Sequence, residues 1–141
     1  DVFWNDPDMF YGSTHGSPLF PGTGSEGEIG VAGNIMNCPL PSGAGSYEFR
    51  KVMEDKIFPG VQDFGPDFII VSAGFDAHRE DPLASLNLED EDFGWVSRRI
   101  VELSQELCNG RLVSILEGGY NTHALSRSVA LHVRALMNAT D

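Results

Sequence analysis

Hydrophobic positions in this chain follow two periods. Continuous apolar runs of strand length occur at Phe68-Ile69-Ile70-Val71-Ser72 and at Leu112-Val113-Ser114-Ile115-Leu116, the pattern of parallel strands buried on both faces. An aromatic and β-branched run from Met9 to Thr14 reads as another strand, and Asn34 to Cys38 as a weaker one stopped by Pro39. Helical spacing appears between and after these. From Ser46, an expected N-cap, Phe49, Val52, Met53, Ile57 and Val61 recur on one face. Phe93, Val96, Ile100, Leu103 and Leu107 form a second stripe, preceded by the acidic turn Glu89-Asp90-Glu91 and stopped by Asn109-Gly110. Leu125, Val129, His132, Val133 and Leu136 form a third, with Asn121 or Thr122 as its cap.

The order is strand, glycine-rich loop, weak strand, helix, strand, helix, strand, helix. That order predicts an α/β fold: a parallel sheet with flanking helices and right-handed crossovers. The stretch from Gly16 to Gly45 is long, rich in Gly and Pro, and poor in pattern; long loops of this kind often carry function. A length of 141 residues suits one domain, and 41% hydrophobic residues suits a globular one.

Charge narrows the partners. A formal net charge of −12 argues against nucleic acid, whose binding needs a basic surface; it favours solubility and would suit cationic substrates. No apolar run is long enough to span a bilayer, so no membrane partner is expected. Asp1-Val2-Phe3-Trp4 has neither the basic nor the apolar region of a secretory signal, and the missing initiator Met points to a longer parent. Cys38 and Cys108 have no metal-binding spacing, and a reducing, cytoplasmic location is expected.

Gly22 to Gly27, "GTGSEG", satisfies G-x-G-x-x-G literally. Dinucleotide binding needs a strand before that motif and a helix after it. Here Pro18 and Pro21 precede it, and Gly30, Gly33 and Pro39 follow, so nucleotide binding is rejected. The ends of the two apolar runs are more informative, because ligands of open α/β sheets bind beyond the carboxyl ends of the strands. One run ends in "SAGFDA" with Asp76, a hard oxygen ligand; the other ends in "LEGGYN" with Tyr120, a hydrogen-bond donor. Gly118 and Gly119 would let a substrate approach the backbone closely. A carboxylate and a phenol converging on one edge suit metal-assisted hydrolysis, with the phenol stabilising an oxyanion.

"FPGTG" (Phe20 to Gly24), "AGFDAHREDPL" (Ala73 to Leu83) and "LEGGYN" (Leu116 to Asn121) resemble the carboxyl-terminal half of the histone deacetylase and acetylpolyamine amidohydrolase family, with the bacterial, class II-like branch closest. The resemblance implies an arginase/deacetylase-like α/β fold, with residues 1–141 as the C-terminal part of a catalytic domain. It implies Asp76 as a zinc ligand, Tyr120 as the group that polarises the acetyl carbonyl, and Phe20 as the wall of a tunnel for the acetyl-lysine stem. It further implies monovalent cation sites, possible K+ positions, at Ser13 and Thr14 and at Phe3, Asp6 and Met9, largely through backbone oxygens. The implied substrates are acetylated lysines or polyamines, and a homo-oligomer is expected.

The family's Asp-x-His zinc ligands and tandem His pair lie upstream of the matching region and are not in this chain. Of its four histidines, His15 follows the first strand where the family often has His. His78 and His123 read as loop or cap residues, and His132 as a core side chain. Asp76 is then expected to be an orphan here and the isolated chain inactive. Two other readings stand beside this one: a manganese arginase-like hydrolase, disfavoured because Asp-x-His-x-Asp clusters are missing, and a non-catalytic binding module that kept the fold.

Overall fold

Strand β1 (Tyr11–Ser17) pairs in parallel with β2 (Ile35–Pro41), and β3 (Ile69–Ala73) pairs in parallel with β4 (Leu112–Leu116). These assignments come from a computed structural model, which describes residues 2–17 and 22–137. Helices α1 (Ser46–Val52) and α2 (Phe58–Phe64), joined by a π-helical turn at Met53–Ile57, lie between β2 and β3. Helix α3 (Asp90–Cys108) connects β3 to β4, and α4 (Thr122–Met137) follows β4. The order is the expected one, an α/β fold with parallel pairing. Among the described residues the strands form two two-stranded sheets and not a single sheet.

Local chemistry moves several boundaries. β1 begins and ends later than Met9 to Thr14, so His15 lies inside the strand and not after it. Pro39 does not stop β2; it sits opposite His15 in register, which an edge strand tolerates where the missing N–H faces away from its partner. Ser46 is the first residue of α1 and the cap is Gly45. The Ser46 hydroxyl instead donates to Asp92 Oδ2 at 2.6 Å. Asp92, fully buried, also accepts from Arg50 Nε at 2.7 Å and from the Glu89 N–H at 2.9 Å. One carboxylate thereby joins α1 to α3, and its burial is offset by charge-assisted hydrogen bonds.

The core lies where the helices meet one face of the β3–β4 pair. Phe49 and Phe58 pack on Trp95 with ring centroids 6.2 and 5.9 Å apart, and Phe75 packs on Phe93 at 5.2 Å. Val71 and Ala73 point into this cluster. The expectation that β3 and β4 are buried on both faces is corrected: Ile70, Val113 and Ile115 are exposed. Alternation along a strand sends successive side chains to opposite faces, and α3 and α4 cover only one of them.

His132 is a core side chain, as expected. The Ser97 hydroxyl donates to the Phe93 carbonyl at 2.5 Å and so accepts from His132 Nδ1 at 2.7 Å. Burial favours the neutral ring, so with the proton on Nδ1 the Nε2 accepts from the Ser114 hydroxyl at 2.8 Å. Burial holds the His132 pKa below its ordinary value. The unfolded chain therefore binds a proton at this residue, near pH 6.5, before the folded chain does. Its stabilising contribution is complete above that pH and is lost as pH falls below it toward the folded pKa. Thermal melts between about pH 7.5 and 5 should show a falling Tm, with a shallower slope in His132→Gln; equal slopes would contradict this account.

Candidate active site

The carboxyl ends of β3 and β4 open on the same edge, because Ala73 lies opposite Leu116 in a parallel pair. Backbone pairing continues past the strands: the Glu117 N–H donates to the Ala73 carbonyl at 3.1 Å and the Phe75 N–H to the Gly118 carbonyl at 2.8 Å. Phe75 anchors its loop in the core, between Phe93 and, at 5.7 Å edge-on, His132. Burying such a ring contributes roughly 2 to 3 kcal/mol, which fixes the residue next to it. That residue is Asp76, half-buried against Gly118. A Cβ on Gly118 would lie 2.4 Å from the Asp76 carboxyl carbon and 2.5 Å from both its oxygens, so any side chain there would displace the carboxylate. Gly119, at φ +143°, has Leu125 Cδ1 2.7 Å from its Cβ position. The need for glycine at both positions is set by the packing of the site itself. Tyr120 follows and is 58% exposed.

Asp76, Gly118, Gly119 and Tyr120 are thus brought to one edge. Asp81, which the sequence did not single out, and Asn121, one of the two expected caps of α4, hold this edge together. The buried carboxylate of Asp81 accepts from the Tyr120 N–H at 2.7 Å and the Asn121 N–H at 3.2 Å through Oδ2, and from the Leu83 N–H at 3.0 Å through Oδ1. The Asn121 side chain donates to the Glu80 carbonyl at 2.9 Å, while its Oδ1 caps α4 by accepting from the His123 and Ala124 N–H groups at 3.0 and 3.1 Å. His123 is accordingly an exposed first-turn residue, as the sequence suggests. His78 is more than a loop residue. It is buried, its Nδ1 accepts from the Glu80 N–H at 3.1 Å, and its Nε2 lies 3.2 Å from Asp90 Oδ1. Burial acts to raise the Asp90 carboxyl, but Arg127 at 2.7 Å, Ser128 at 3.0 Å and His78 outweigh it and hold the pKa below its ordinary value.

The other expected residues lie elsewhere. The carbonyls of Phe3, Asp6 and Met9 converge on one atom, Asn34 Nδ2, at 2.9, 3.0 and 3.0 Å. An amide nitrogen has two hydrogens and cannot serve three acceptors fully, and Asn34 Oδ1 is buried without a partner. The point where the three carbonyls meet is taken by the Asn34 amide nitrogen, a hydrogen-bond donor. Ser13 and Thr14 are half-buried on β1, in the other sheet, and the Ser13 hydroxyl donates to His15 Nδ1 at 3.0 Å. His15 Nε2 in turn donates to the Gly24 carbonyl at 2.9 Å. Phe20 falls outside the described residues.

In the Gly22–Gly27 loop, Glu28 accepts from the Gly24 and Ser25 N–H groups at 3.1 Å. Those hydrogen bonds, Gly24 first, hold the Glu28 carboxyl below its ordinary range. The loop N–H groups of Gly24 and Ser25 are thereby taken by a carboxylate of the chain itself. Among the described residues no three His, Cys, Asp or Glu side chains converge as a metal site, and no helix is long and apolar enough to cross a membrane.

This parallel α/β scaffold, with its two loops joined at one sheet edge, has counterparts among known proteins. The profile described as "Histone deacetylase domain" matches residues 1–136, and the chain belongs to that family. It is 46% identical over 140 residues to "Histone deacetylase 10, chloroplastic" of rice (Oryza sativa subsp. japonica), covering 97% of this chain and 32% of that protein. It is 39% identical over 144 residues to a "Probable deacetylase" of Archaeoglobus fulgidus, covering 100% of this chain and 40% of that one. Among solved structures it superimposes on the acetylpolyamine aminohydrolase of Burkholderia pseudomallei with a TM-score of 0.87 at 27% identity, over 96% of this chain and 40% of that one. The chain therefore spans well under half the length of these relatives, and plant and archaeal proteins among them do not single out a bacterial branch.

Proposed function

We propose that this chain is part of a zinc-dependent amidohydrolase that removes acetyl groups from acetyl-lysine or acetylated polyamines. The observation that carries the reading is the joining of the Asp76 and Tyr120 loops at one sheet edge, with Gly118 left bare to admit the Asp76 carboxylate. A catalytic zinc takes about three protein ligands. Among the described residues Asp76 is not joined by two further His, Cys, Asp or Glu side chains, and it is proposed to complete a site formed with ligands outside them. When bound, the ion would supply Lewis-acid polarisation of the acetyl carbonyl. The work proposed for this chain is at the oxyanion: the Tyr120 hydroxyl donates a hydrogen bond to the carbonyl oxygen as charge builds on it. Phe20, Gly118 and Gly119 are proposed to border the bound acetyl group. K+ positions at Phe3, Asp6 and Met9 and at Ser13 and Thr14 are proposed from the family resemblance. A reducing compartment such as the cytoplasm is supported by two free buried cysteines, with burial raising the Cys38 thiol.

The test is release of acetate from an acetyl-lysine peptide and from an acetylated polyamine by the full-length protein. Chelation should abolish turnover, zinc should restore it, and Asp76→Asn should prevent the restoration. Turnover indifferent to chelation and to Asp76→Asn would refute the reading.

The 141-residue chain by itself is expected to self-associate. The uncovered face bearing Ile70, Val113 and Ile115 is an apolar patch that drives association. The charge of −12 opposes it less as salt rises. Sedimentation should show a dimer or larger species at micromolar concentration, growing with ionic strength; a monomer throughout would contradict this.

A further inference from the structure

We infer that Asp81 is a positioning residue for Tyr120, holding the backbone that aims its phenol; this rests on the reading of Tyr120 as the oxyanion donor. Tyr120 is more than half exposed, so packing around its ring does little to orient it. Its backbone is what is held. Asp81 Oδ2 receives the consecutive N–H groups of Tyr120 and Asn121 at 2.7 and 3.2 Å, an arrangement in which an anion fixes two peptide planes at once. Oδ1 is committed to the Leu83 N–H at 3.0 Å, so the carboxylate is pinned at both oxygens and is buried.

The loop carrying Asp81 is itself braced. The Asp81 N–H donates to the His78 carbonyl at 2.9 Å, and His78 is held between the Glu80 N–H and Asp90. On the far side of Tyr120, Asn121 donates to the Glu80 carbonyl and caps α4. Tyr120 is therefore suspended between a buried anion and the start of a helix. The turn continues back to Phe75, next to Asp76: the Phe75 carbonyl accepts from the His78 N–H at 3.2 Å. An amide at position 81 would turn an NH2 toward one of these N–H groups and release the Tyr120 backbone. Displacements of about 1 Å at a reacting group cost up to 100-fold in rate.

The experiment measures kcat and KM of the full-length protein on an acetyl-lysine peptide for Asp81→Asn, Tyr120→Phe and the double variant, each normalised to folded protein. Asp81→Asn should lower kcat by about 10- to 100-fold with KM changed by no more than about 3-fold. Added to Tyr120→Phe, it should cost less than about 2-fold more, because the group it positions is already gone. Asp81→Glu keeps the charge but shifts it by a methylene; it carries the same expectation and serves where Asp81→Asn does not fold. A general loss of structure would lower kcat equally in both backgrounds. That result, or a parental kcat in Asp81→Asn alongside a crippled Tyr120→Phe, overturns the role of Asp81 alone. A parental kcat in Tyr120→Phe overturns the oxyanion reading and this inference with it.

Discussion

Tyr120→Phe in the full-length protein should lower kcat by about 100- to 1,000-fold while KM changes by only a few-fold, the loss typical of one oxyanion donor, about 3 to 4 kcal/mol. The substitution removes a single oxygen from a residue that is 58% exposed, so little packing is lost and folding should be untouched. The backbone bonds that fix the loop, from the Tyr120 N–H to Asp81 and from the Phe75 N–H to the Gly118 carbonyl, do not involve the hydroxyl. A selective fall in kcat follows if the hydroxyl acts on charge that exists only in the transition state. Steady-state kinetics decide the matter, and an unchanged kcat would take Tyr120 out of the mechanism.

The second large effect concerns the 141-residue chain by itself, which should release no acetate above background even with added zinc. Among the described residues there is no cluster of three metal-ligating side chains, and Asp76 alone is a single oxygen ligand where about three are needed. Groups that act as a unit lose most of their effect when any one is missing, by several orders of magnitude. The assay is acetate release from an acetyl-lysine peptide by the purified chain. Turnover abolished by Tyr120→Phe would show that the chain carries a complete site.

The elements of β3, β4, α3 and α4 were legible in the sequence because each is a strong, uninterrupted pattern: an apolar run, or a stripe with Asn109-Gly110 or Asn121 at its end. What failed was set by partners distant in sequence. Ser46 reads as a cap, yet its hydroxyl goes to Asp92, and only tertiary contact with α3 decides that. A continuous apolar run cannot reveal which of its faces is covered, so the exposure of Ile70 and Val113 was invisible. In the site, Asp76 and Tyr120 stood out because their motifs end the two apolar runs. Asp81 lies in the same quoted motif as Asp76, but the N–H groups its Oδ2 accepts from belong to Tyr120 and Asn121, in another loop. Asn34 carried no signal at all; its role appears only where the carbonyls of residues spaced three apart, Phe3, Asp6 and Met9, meet its amide.

The buried carboxylate of Asp92 bears on how this half of the fold could be exchanged between relatives. A graft beginning at β3 would carry both loops of the edge, yet it would leave Asp92 without Ser46 and Arg50. The strand-like seam of Gly43 to Ser85 and Ala44 to Asn87, at 2.7 and 2.8 Å, would be cut as well. A crossover point for recombination therefore belongs before Gly43, in the turn after β2. Chimaeras joined there should keep the carboxylate and tyrosine loops in register, whereas those joined between α2 and β3 inherit an unpaired buried anion.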